Sequence, residues 1–224
     1  YTSANTTSGV SIIQYTGNST SGATIGHGLG AVPKVFFCKK TNSSGDNWSM
    51  YHVGTGNTIS MTLNSDTASI ANAKYWNNTT PTSSVITLGN GTEVNGNTDT
   101  FIGYAFAEKI GFSKFGSYVG NGNADGSFQY LGFKPAFIMI KRTDSGSGNW
   151  TIYDPLRDGY NDKNDYLYAN ESNAESGITH KIDLLSNGFK CRANSSDTNT
   201  SGGTYIYMAF AEAPLVSSNG IPAV

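Results

Sequence analysis

The stretch Leu29-Gly30-Ala31-Val32-Pro33-Lys34-Val35-Phe36-Phe37-Cys38-Lys39-Lys40-Thr41 returns later in the chain as Leu131-Gly132-Phe133-Lys134-Pro135-Ala136-Phe137-Ile138-Met139-Ile140-Lys141-Arg142-Thr143. Without a gap, Asn47-Trp48-Ser49-Met50-Tyr51 is then answered by Asn149-Trp150-Thr151-Ile152-Tyr153. Across 29–51 and 131–153, nine of twenty-three positions are identical, far more than two unrelated segments share, so an internal repeat governs any reading of the fold.

The match extends in both directions. Upstream, Tyr15-Thr16-Gly17-Asn18 pairs with Tyr118-Val119-Gly120-Asn121. Downstream, Val85 to Gly91 resembles Ile182 to Gly188, and Thr100-Phe101-Ile102-Gly103-Tyr104-Ala105-Phe106-Ala107-Glu108 matches Thr204-Tyr205-Ile206-Tyr207-Met208-Ala209-Phe210-Ala211-Glu212. The expected domains are 1–109, with an N-terminal lead-in, and 110–213, followed by a tail at 214–224. Solenoids and propellers need three or more units, so two copies point to a duplicated compact domain.

Each copy is cut into short runs rich in Val, Ile, Phe, Tyr and Thr, separated by clusters of Gly, Asn, Ser and Asp, which is strand-and-turn chemistry. Val35–Cys38 and Phe137–Ile140 are unbroken apolar runs of strand length, the pattern of a strand covered on both faces. In the last run, Ile102, Tyr104 and Phe106 face one way and Phe101, Gly103 and Ala105 the other. Both sets are apolar, which predicts a central strand. Helical periodicity is weak, with only a turn or two expected within Asp66 to Trp76. The fold class is therefore all-β, as two tandem jelly-roll-like β-sandwiches. One larger sandwich with internal pseudo-twofold symmetry is the alternative.

Composition narrows the function. Charged residues make up 13% of the 224 and the net charge is −2, against roughly 25% charged in an ordinary domain. Lys39-Lys40 and Lys141-Arg142 are too short to form the basic patch a nucleic-acid surface needs. No run approaches the length of a membrane span, so membrane insertion is not expected. The two cysteines, Cys38 and Cys191, sit in apolar contexts and read as buried free thiols. The chain starts at Tyr1, as expected for a processed product or part of something longer.

Catalytic chemistry would need a nucleophile with its base, paired carboxylates or a metal cage. His27, His52 and His180 are scattered and do not recur between copies. Glu108 and Glu212 do recur, which favours a structural role over a glycosidase pair. The acidic stretch with Asp154, Asp158, Asp162 and Asp165 departs from calcium-loop spacing and is offset by Arg157 and Lys163, so a solvated loop is expected. No cofactor and no metal are called for, and the chain reads as no enzyme. Recurring Trp48 and Trp150 are expected in the core. The copy-specific loops hold the candidate binding residues: Tyr75, Trp76, Asn77 and Asn78 in the first copy, and Arg157, Asp158, Tyr160, Asp162, Asp165 and Tyr166 in the second. Aromatic faces beside Asn and Asp side chains are a common way to stack a sugar ring and hold its hydroxyls.

Several blocks also resemble a known family. Gly17-Asn18 leading to Ile25-Gly26-His27-Gly28-Leu29-Gly30-Ala31-Val32-Pro33-Lys34, Phe115 to Gly126, Leu185-Ser186-Asn187-Gly188-Phe189-Lys190 and Ser201 to Ala211 are similar to a domain family of unknown function in virion and tail-fibre-type proteins of tailed phages, often marine ones. The resemblance implies display on a virion, in a tail fibre or decorating the head. It implies other virion proteins as partners and a homo-oligomer such as a trimer; a host-surface glycan is a further expected partner, from the loop aromatics. A carbohydrate-binding module is the alternative function. A sandwich-fold glycan-degrading enzyme ranks below both.

Overall fold

The computed structural model describes residues 1–146, 148–157, 161, 165–177 and 181–212. The chain is all-β, and among the described residues the strands lie in antiparallel sheets beside two single-turn helices. It divides into two compact units. The first contains Tyr1–Asn64 and Ser69–Glu108; the second contains Ser65–Ala68 and the chain from Lys109 onward.

In the first unit the strands are β1 (Thr2–Asn5), β2 (Val10–Thr16), β3 (Ala23–Gly26), β4 (Val35–Lys40), β5 (Ser49–His52), β6 (Ile59–Thr62), β7 (Ile70–Ala71), β8 (Val85–Leu88) and β9 (Thr100–Phe106). Helix α1 is Ala73–Trp76 and α2 is Thr92–Asn95. The large sheet runs β1-β2-β9-β4-β5-β6-β7 and a second sheet pairs β3 with β8. Phe36 and Cys38 lie two residues apart on β4 and so face the same way. They join Ile13, Tyr51 and Ala105 of the same sheet in one core with Ile86 and Leu88 of β8. Two sheets closed over a shared apolar layer form a sandwich.

The second unit has β10 (Ser113–Val119), β11 (Phe128–Tyr130), β12 (Pro135–Arg142), β13 (Thr151–Tyr153), β14 (Leu167–Tyr168), β15 (Ile182–Leu185), β16 (Gly188–Cys191) and β17 (Thr204–Ala211). One sheet runs β10-β17-β12-β13-β14 and the other β11-β16-β15. Its core joins Ile138, Ile140, Tyr153, Tyr205, Tyr207 and Ala209 with Ile182, Leu184, Phe189 and Cys191. The order β2-β9-β4-β5-β6 in one unit and β10-β17-β12-β13-β14 in the other follow the same path through the matching sequence blocks.

The blocks shared between copies hold turns in place. Tyr15 donates its hydroxyl to Val94 O at 2.8 Å and Tyr118 donates to Thr198 O at 2.7 Å. Glycine is required beside each tyrosine. A Cβ on Gly17 would sit 2.2 Å from Gly96 O, and one on Gly120 would sit 2.3 Å from Thr200 O. Thr41 and Thr100 bond through their hydroxyls at 2.8 Å, as Thr143 and Thr204 do at 2.6 Å.

Two expectations change in detail. β9 is central, between β2 and β4, but only its Phe101, Gly103 and Ala105 face is fully buried. The other face carries a half-buried aromatic layer in which Phe37 packs on Trp48, Tyr104 and Phe106. Trp48 thus lies in that outer layer, whereas Trp150 is a core residue, 1% exposed. The helical turn expected within Asp66 to Trp76 is α1, its last four residues, and Ile70–Ala71 ahead of it pairs with β6 as a strand.

Candidate functional site

Helix α1 is a single turn stopped by its own sequence. Asn72 caps it by accepting the Lys74 N–H at 3.0 Å. Asn77 closes it with φ 50° and donates its N–H to Ala73 O at 2.9 Å. Asn78 follows with φ 49°. Asparagine enters this left-handed region more readily than other side chains, so the Asn77-Asn78 pair is read here as a helix stop. The Asn77 side chain accepts the Ser21 hydroxyl at 2.7 Å.

Trp76 is corrected by the structure. It is 1% exposed, packed edge-on against Phe36 at 5.8 Å and Tyr51 at 6.3 Å. A single helical turn turns adjacent side chains about 100° apart. Trp76 therefore enters the core while Tyr75 stays half-buried at the surface.

Tyr75 lines a cleft of about 280 Å³ together with Asn72, Lys74, Asn90, Gly91, Thr92 and Glu93. The α1 backbone is fixed to the opposite wall, since Gly89 donates to Tyr75 O at 2.7 Å and Gly91 to Lys74 O at 2.8 Å. A Cβ at Gly89 would lie 2.3 Å from Lys74 O, so glycine is what permits this approach. Burial pushes the Tyr75 phenol up, and the Glu93 carboxylate adds to the shift. The cleft therefore places an aromatic ring, an ammonium, a carboxylate and two amides around one rigid opening.

The second group of candidate residues does not form one site. Asp158, Tyr160 and Asp162 lie outside the described residues, as do Lys163 and His180. Arg157 bonds Asp154 at 2.7 Å and pairs with Glu175. Asp165 is half-buried. Tyr166 is 8% exposed and belongs to the core cluster, which corrects its expected place in a solvated loop.

Tyr166 is part of a buried polar group that sequence reading missed. Lys181 Nζ lies 2.6 Å from Asp197 and 3.7 Å over the Tyr166 ring. Tyr168 donates its hydroxyl to Asp197 at 3.0 Å. Burial, the Asp197 charge and Tyr166 push the Tyr168 phenol up, while for Tyr166 burial is outweighed by Lys181 and Tyr168, which lower it. A buried ion pair closed by hydrogen bonds is a packing device in this setting. Among the described residues, no group of three or more His, Cys, Asp and Glu side chains could hold a metal ion.

Two exposed aromatics were also missed. Phe128 and Tyr130 share one face of β11 and are 44% and 59% exposed. Lys114 bonds Tyr130 O at 2.8 Å and stands 5.3 Å from its ring. The available signal was the alternation Phe128-Gln129-Tyr130 where the first copy has Gly26-His27-Gly28.

The family model described as Domain of unknown function (DUF7483) matches residues 1–214, and the chain belongs to that family. No curated protein and no solved structure matches it.

Proposed function

We propose that this DUF7483 chain is a non-enzymatic structural module of a tailed-phage virion, carried in a tail fibre or on the head, that contacts the host surface. The observation that carries the reading is how its chemically capable side chains are used. His27 Nε2 lies 3.1 Å from Thr82 O while Nδ1 accepts the Leu29 N–H, the pattern of a neutral ring. Burial lowers its pKa, against a smaller opposing effect of the Thr82 bond. His52 Nδ1 accepts the Gly54 N–H at 2.9 Å. Cys38 and Cys191 are buried free thiols, and Glu212 is ion-paired with Lys134 at 2.6 Å. Among these described groups, the two histidines accept backbone N–H groups, the two thiols pack in the cores and the glutamate is held in an ion pair.

The sequence resemblance to virion modules and the surface of neutral polar side chains support the setting. The matching strand orders of the two units support a duplication, which strengthens adhesion through effective concentration. A carbohydrate-binding module is the second reading, favoured by the cleft at Tyr75.

The test is adsorption. Labelled chain is added to candidate host cells, and its competition with phage attachment is measured. Saturable binding that blocks attachment is expected. Release of new reducing ends from a host polysaccharide by the purified chain would overturn the non-enzymatic reading. Light scattering on the same material reads its oligomeric state, for which a trimer is expected.

A further inference from the structure

We propose that the cleft between α1 and the Asn90–Glu93 turn binds one pyranose residue of a glycan. The proposal deepens the adhesive reading and rests on it for its biological role, but not for its chemistry.

Size is the first argument. At about 280 Å³ the cleft falls near the lower end of ligand pockets, roughly 300 Å³, which suits one small polar ring. The character of the lining is the second. Lys74 and Glu93 offer a donor and an acceptor of opposite charge, so their charges cancel across the opening. A phosphate would want clustered cations, and a metal ion would want clustered oxygens. Neither is the pattern here, whereas paired donor and acceptor groups suit the vicinal hydroxyls of a sugar.

The third argument is that the polar groups are available. Asn72 uses its Oδ1 on the Lys74 N–H, which leaves its amide N–H₂ to a ligand. Thr92 donates to Glu93 at 3.4 Å, and the carboxylate keeps further lone pairs. Tyr75 contributes an amphipathic side chain, packed against the core and among the residues that line the cleft. The fourth is rigidity. The Gly89 and Gly91 bonds to Tyr75 O and Lys74 O fix the two walls before any ligand arrives, which lowers the ordering cost of binding.

The experiment is NMR titration of the full chain with the methyl glycosides of glucose, galactose, mannose and N-acetylglucosamine at millimolar concentrations. At least one should shift the Lys74, Tyr75 and Asn90–Glu93 amides in a saturable way. Lys74→Ala and Glu93→Gln lie at the surface and leave the core intact. Each should weaken that binding about tenfold, a loss of ~1.4 kcal/mol, with an unchanged unfolding midpoint. Phe128→Ser, in the other unit, should leave it unchanged.

Four sugars without a saturable shift at these amides, or a shift that survives both cleft substitutions, would overturn the proposal. The adsorption assay separates the two readings. Host binding by a chain whose cleft amides show no sugar shift sinks the cleft and spares adhesion. Sugar binding by a chain that never adsorbs sinks adhesion and spares the cleft.

Discussion

The side chain of Asn95 accepts the backbone N–H of Asn18 at 2.9 Å, and Asn199 accepts that of Asn121 at the same distance in the other unit. Each asparagine is fully buried and also donates to carbonyls, Asn95 to Thr20 O and Gly89 O, and Asn199 to Asn123 O and Ala193 O. A single amide thus fastens the loop after β2 or β10 to the turn before the last strand. Substituting Asn95→Ala removes the partner of the buried Gly89 O and of the part-buried Asn18 N–H and Thr20 O, and one buried group left unpaired costs about 1–3 kcal/mol. The first unit should lose about 3 kcal/mol or more, read by urea denaturation of the purified variant. A loss under about 1 kcal/mol would mean the loop is held elsewhere.

Gly17 and Gly26 should respond in opposite directions to alanine. A Cβ at Gly17 meets Gly96 O at 2.2 Å, while nothing lies within 4 Å of one at Gly26. Gly17→Ala is expected to cost about 2 kcal/mol by overpacking. Gly26→Ala should be neutral or slightly stabilising, because alanine reduces the freedom of the unfolded chain. Thermal midpoints of the two variants decide it, and equal midpoints would contradict the close approach.

Removing Asp197 should be among the most damaging changes in the second unit. Its carboxylate binds Lys181 at 2.6 Å, the Tyr168 hydroxyl at 3.0 Å and the Asn149 N–H at 3.2 Å. Asp197→Ala leaves the Lys181 ammonium buried without its counter-charge, a loss of roughly 3–5 kcal/mol. The double variant Lys181→Met with Asp197→Leu should recover part of that loss. Denaturation curves for the single and double variants measure this, and a double variant less stable than Asp197→Ala would count against it.

Alkaline pH should destabilise the first unit through Cys38. Burial pushes this thiol up from 9.0 to about 12. The folded state therefore keeps a proton that the unfolded chain releases above pH 9. Stability from this group is complete below that pH and is lost as pH rises toward 12. The slope for one proton is about 1.4 kcal/mol per pH unit. Cys38→Ala should remove that much from the measured slope between pH 9 and 12, and an unchanged slope would place the titration elsewhere. At neutral pH a thiol reagent should label neither Cys38 nor Cys191 until the chain unfolds, since both are 0% exposed.

Legibility tracked the distance over which the determining interaction acts. The strands at Val35–Cys38 and Phe137–Ile140 were readable because an apolar run bounded by Pro and Lys is a local signal. The Tyr-x-Gly-Asn motif was visible as a repeat, but its purpose was not. It depends on turns at Asn95 and Asn199, far along the chain. The candidate site was half legible. Tyr75 was found because its loop is peculiar to one copy, whereas Asn90, Thr92 and Glu93 were missed. They join Tyr75 only through the backbone bonds of Gly89 and Gly91. The Lys181–Asp197 pair was missed for the same reason.

By itself the sequence determined the all-β class, the near-central place of the last strand in each matched block and the buried state of both thiols. Residue periodicity and turn chemistry act over a few positions and are written in order along the chain. Only the tertiary structure decided that Trp76 enters the core while its neighbour Tyr75 lines a cleft. It alone also decided that Tyr166 packs beneath an ion pair. Side-chain direction on a one-turn helix, and the pairing of charges from segments distant in sequence, are set by which surfaces the sheets bury, and that is a property of the closed sandwich.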